Sequence, residues 1–136
     1  MASNQYELAT PPENPGALEL WLQHAAGRIF FEDMRGYAIE RIDSQLLPEA
    51  RAAAQKGIDD AVYGLMMIID GVSGTLRNST HEVELDVVVR LVDRQSPGKV
   101  VAEVDLRHGD GMCMGYHGWR VNDFGEDPIA SRRPGK

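Results

Sequence analysis

The stretch 48–72, PEARAAAQKGIDDAVYGLMMIIDGV, does most to limit what this chain can fold into. Pro48 suits a first helical turn, where its missing N–H costs nothing. Glu49 places a negative charge at the favourable end of the helix dipole. Four alanines in the next five positions are the strongest helix formers. Apolar or small residues then recur at Ala50, Ala54, Gly57, Ile58, Ala61, Leu65, Ile68 and Val72, which is one helical face. Arg51, Gln55, Lys56, Asp59 and Asp60 fill the opposite face of the first half. No charge appears over 62–69, so that end should have protein on most sides. The apolar run is shorter than the roughly 20 residues a membrane span needs. Gly57, Ala61 and Gly64 form a stripe of small residues that predicts close approach of a second helix. Gly71 supplies the stop. Asp70 stands at the negative end of the dipole, where a carboxylate is disfavoured. It either hydrogen-bonds the following loop or serves as a binding or catalytic carboxylate.

A helix before this one is signalled by Asn14 as N-cap and Pro15 as first helical residue. Leu18, Trp21, Leu22, Ala25 and Ile29 form its apolar stripe, which re-phases past Phe30 through Phe31, Met34, Ala38 and Ile42. The helix is predicted to run toward Gln45, with Gly27 and Gly36 as places to bend. His24 beside the stripe reads as a structural histidine. The short connection to Pro48 favours an antiparallel αα-hairpin.

Beyond a polar loop the period changes to two. Val83, Leu85, Val87, Val89 and Leu91 share one face of a strand. Val100, Ala102, Val104 and Leu106 share one face of the next. The register that matches these core faces sets Leu91 opposite Val100 and Asp86 opposite Asp105. A third strand is expected within 112–121, where Met112, Met114 and Tyr116 alternate. Helices first and strands after predict an α+β domain, with an N-terminal helical hairpin packed on one face of a small antiparallel sheet of two to three strands. The length fits one domain over 15–124, with a mobile segment at 1–14 and a loose tail at 125–136. The first strand's exposed edge predicts a homodimer.

The formal net charge of −7 argues against nucleic acid and anionic membranes as partners and is compatible with a basic protein. One cysteine excludes an internal disulfide, and no basic-then-apolar run opens the chain, so a cytoplasmic location is expected.

Two regions could carry function. The segment 107–117 gathers His108, Asp110, Cys113 and His117 among glycines, and with Asp70 it is the candidate catalytic set. Cysteine with histidine could act as nucleophile and base, or His108, Cys113 and His117 could ligate zinc. The zinc-finger spacings need a second cysteine, and no catalytic-cysteine signature surrounds Cys113. The expectation is therefore no metal, no cofactor and no covalent nucleophile, with a small hydrolase or transferase as the alternative. The second region is the outward row Glu82, Glu84, Asp86, Glu103 and Asp105, centred on Val88 and Val101. Like charges facing across strands are destabilising, so such a row suggests a surface held acidic for a cationic partner. The expected function is a non-enzymatic binding protein, an immunity- or antitoxin-type inhibitor of a basic protein.

Overall fold

In the computed structural model, which describes residues 2–132, the main elements run β1 (Tyr6–Leu8), α1 (Pro15–Ile29), α2 (Pro48–Ile69), β2 (Leu76–Arg77), β3 (Glu82–Val83), β4 (Val88–Val92), β5 (Val100–Asp105), α3 (Met112–Trp119) and β6 (Ile129–Arg132). The architecture is α+β, with a helical pair packed on small antiparallel sheets of two strands each. None of the described helices is long and apolar enough to cross a membrane.

The Asn14 side chain caps α1, accepting from the N–H groups of Gly16 and Ala17 at 3.0 and 3.1 Å. Past Ile29 the helix continues as a π-helical segment, Phe30–Gly36, and then one more α turn, Tyr37–Glu40. The π hydrogen bond spans one residue more than the α, so each such turn moves the side chains around the axis. That is the physical content of the re-phased apolar stripe. The helix ends at Glu40, short of Gln45.

The face of α2 that is buried is not the one the small residues suggest. Asp59, Val62, Met66 and Ile69 are buried, whereas a Cβ added at Gly57 or Gly64 would meet nothing within 4 Å. The second half of α2 is apolar nearly all round, so periodicity could not choose between its faces. Helix α3 and the π-helical segment lie against α2, with Tyr116 and Arg35 meeting Asp59 at the start of that row.

The core joins Trp21, Leu22 and Ala26 of α1, Val62, Met66 and Ile69 of α2, Val104 and Leu106 from the end of the hairpin, Met112, Tyr116 and Trp119 of α3, and Phe124. Helix α1 packs on β4 and β5, and α3 packs against both α1 and α2. The expected third strand is thus a helix. Met112, Tyr116 and Trp119 bury at helical spacing, and Met114 is 75% exposed. Trp119 lies where a side chain at Gly27 or Gly115 would collide with its ring. It stacks on Phe124 and donates from Nε1 to His24 Nδ1 at 3.0 Å.

The β4–β5 hairpin is antiparallel, pairing Val89 with Val104 and Leu91 with Ala102. This is two residues away from the expected register, with an irregularity between Leu91 and Val92. The core faces are kept, but Asp105 stands opposite Val88 rather than Asp86. The strand also breaks before Val88, so Val83 and Leu85 are 60% and 57% exposed rather than in the core. At the two ends, where a mobile lead-in and a loose tail are expected, β1 pairs antiparallel with β6, and Ala9 donates to Pro128 at 2.7 Å. Residues 133–136 of that tail lie outside the described residues.

Candidate functional site

The hairpin's outward face is built by alternation, which turns Val88, Arg90, Val101, Glu103 and Asp105 to the side opposite the buried Val104. Val88 and Val101 stay exposed, Val101 at 55%. The surrounding acids are less bare than a row of carboxylates implies. Arg107 Nε donates to Asp86 Oδ1 at 2.9 Å. Arg90 meets Glu103 directly across the ladder at 2.9 Å. Arg77 reaches Glu82 at 3.2 Å across β2–β3. Asp105 turns back to accept the Arg107 N–H at 3.0 Å, capping the 3₁₀ turn Leu106–His108. Glu84 is exposed. The facing Asp86–Asp105 pair expected from the other register is absent, because Asp105 stands opposite Val88, and each carboxylate is turned to a group of Arg107.

The cysteine–histidine segment folds into the start of α3. Asp70 spans two N–H groups there, with Oδ1 accepting from Met112 at 2.6 Å and Oδ2 from Cys113 at 2.9 Å. Its place at the end of α2 is explained: it caps the next helix rather than its own loop. A carboxylate beside the thiol disfavours thiolate. Burial pushes the Cys113 thiol up, and Asp70 pushes it further, against a smaller lowering by Tyr63. His117 packs its ring 5.5 Å from that of Tyr63. His108 is exposed at the end of the 3₁₀ turn. Asp110 is held by Gln23, whose Oε1 accepts its N–H at 2.7 Å while Nε2 donates to the Gly111 carbonyl at 3.1 Å. Asp110 lines a cavity of about 300 Å³ with His24 and Asp123; His108, Cys113 and His117 do not line it. Burial lowers the His24 pKa, against the raising effect of Asp123, Asp110 and Asp127. Among the described residues no three His, Cys, Asp or Glu side chains are grouped to hold a metal ion. The proposed zinc set of His108, Cys113 and His117 is not brought together.

A polar cluster around Asp59, which periodicity assigned to solvent, lies between the π-helical segment, α2 and α3. Asp59 Oδ1 accepts from Arg35 Nε at 2.6 Å and from the Tyr116 hydroxyl at 2.7 Å. Arg120 approaches Oδ2 at 3.6 Å. Asp59 sits one turn before Val62 in the row that continues to Met66 and Ile69. That row was the available signal.

Compared with protein-family models, curated proteins and solved structures, the chain matches none.

Proposed function

We propose that this is a small non-enzymatic binding protein, of the immunity or antitoxin kind, whose partner is a basic protein met by the outward face of the β4–β5 hairpin. The observation that carries this reading is the outward face itself, where Val88 and Val101 are exposed on either side of the Arg90–Glu103 rung and Asp86, Glu103 and Asp105 supply carboxylates, with exposed Glu82 and Glu84 just before them in the chain. Exposed apolar side chains set among charged ones suit a protein interface. The arginines that pair with Glu82 and Glu103 are themselves more than half exposed. Such pairs are worth below about 1 kcal/mol, so a cationic partner can take over their carboxylates at little cost. The disfavoured Cys113 thiolate supports a non-enzymatic role, since the thiolate is the nucleophile.

The test uses a partner captured on the immobilised protein and then purified. Glu82→Lys with Glu84→Lys should slow association by about tenfold or more at low salt and flatten its salt dependence. Both residues are exposed, and Glu82 gives up an exposed pair with Arg77, whereas Asp86 and Asp105 hold Arg107 in place. A double variant that associates as fast as the wild type would reduce this face to an ordinary solvated surface.

A further inference from the structure

Among the described residues, strand β5 pairs with β4 alone. The Leu106 N–H donates to the Val87 carbonyl at 2.9 Å, which fixes the phase of the ladder. Backbone groups alternate in direction along an antiparallel strand, so Val104 also faces β4 and the N–H and carbonyl of Glu103 face away. Along that open edge runs a groove of about 470 Å³, between β5 and the start of α1. Leu18, Leu22 and Val104 give it an apolar floor, and Glu13, Glu19 and Glu103 give it an acidic rim. Among the described residues, no lysine or arginine lines it.

We propose that this groove takes an extended cationic segment of the partner, which adds to β5 as a third strand. The inference rests on the reading of the protein as a binder of a basic protein, and it names the part of the partner that would enter. Strand addition satisfies the outward groups of Glu103 and gives affinity through the main chain. Side chains of an added strand alternate. One set would lie on Leu18 and Leu22 and should be apolar; the other would lie beside Glu103 and should be lysine or arginine. A second copy of this chain fits the edge poorly. Two-fold pairing of β5 about Glu103 would set Glu103 against itself, and like charges directly opposite are destabilising.

The experiment follows amide signals of the isotope-labelled full chain by NMR. The probe is an acetylated, amidated heptapeptide alternating lysine and valine. The peptide should slow exchange of the Glu103 amide by about tenfold or more, because an edge amide becomes a ladder amide. It should also shift signals of Leu18, Glu19 and Leu22. Methylation of alternate peptide nitrogens removes the ladder donors but keeps the charge, and should abolish the protection. The glutamate–valine counterpart should not bind. Glu13→Lys with Glu19→Lys should weaken the lysine peptide by about tenfold while the circular dichroism stays unchanged. No protection of Glu103, or equal binding of the methylated peptide, would overturn the inference. So would Glu103 protection that rises with protein concentration and no peptide, which would make the occupant a second copy. If the Glu82→Lys, Glu84→Lys variant loses partner association while the peptide leaves Glu103 unprotected, the groove fails and the outward face stands. If the peptide adds to β5 while that double variant associates normally, the groove stands and the outward face fails.

Discussion

Asp59 is a carboxylate left with only 8% exposure, and it remains charged because of what faces it. Burial alone would raise its pKa; the hydrogen bonds from Arg35 and Tyr116, with the charges of Arg35 and Arg120, outweigh that and hold it below the ordinary 3.8. A folded pKa below the unfolded one means stability that is complete above the unfolded value and lost as pH falls through the folded one. Urea unfolding should therefore show a loss of stability as pH drops below about 4, and Asp59→Asn should make that loss shallower. Tyr116 gives the mirror case. Burial first, and then Asp59, push its phenol up from 10.0 to about 12. Its stabilising contribution is complete below pH 10.0 and lost as pH rises through about 12. Tyr116→Phe should remove that alkaline slope and cost about 1–3 kcal/mol near neutrality, since Asp59 then loses a buried donor. An unchanged alkaline limb in the variant would disprove the assignment. None of this was legible at Asp59 itself, which shares its stretch with Lys56 and Asp60; a carboxylate can occupy a core row once a guanidinium and a phenol meet it there.

At the scale of elements, α3 is the one that local sequence does least to support. It has eight residues and contains Gly115 and Gly118. Isolated helices this short are not stable in water. It is held from outside, by Asp70 at its N-terminus and by Trp119 lodged beside Gly27. Asp70→Ala should cost about 0.5–2 kcal/mol, as loss of a cap does. Hydrogen exchange should then show the amides of 112–119 opening well before those of 62–69. Uniform acceleration across both segments would mean that Asp70 supports the whole core instead. Gly27→Ala drives a methyl into the Trp119 ring and should cost about 1–3 kcal/mol by overpacking, seen in urea midpoints. Within 112–121, Met112, Met114 and Tyr116 fit a strand, while Met112, Tyr116 and Trp119 fit a helix. Eight residues are too few for period alone to separate the two. The capping carboxylate that decides comes from 42 residues away. The opposite holds for α1, where the N-cap and the re-phasing at Phe30 were both readable because each is a local property.

For the molecule as a whole, the class and the two faces of the hairpin were legible, and the pairing across it was not. A pattern of period two is identical after a shift of two residues, so Val89 and Leu91 keep their core face whether the partner is Val104 or Ala102. The outward face was found for the same reason, although its charges proved largely matched by Arg77, Arg90 and Arg107. Nothing local foretold that Tyr6 would stand across from Arg132. That pairing has a topological consequence: from Tyr6 to Arg132 the backbone is nearly a closed ring. A few glycines and serines should bridge Arg132 to Tyr6, and the chain can then be reopened between Gln95 and Ser96, in the exposed turn between β4 and β5. Such circular permutants succeed at exposed loop tips when the original ends are neighbours. This one should unfold in a single cooperative transition with the far-ultraviolet spectrum of the parent, whereas reopening within α2 between Val62 and Tyr63 should leave no folded product.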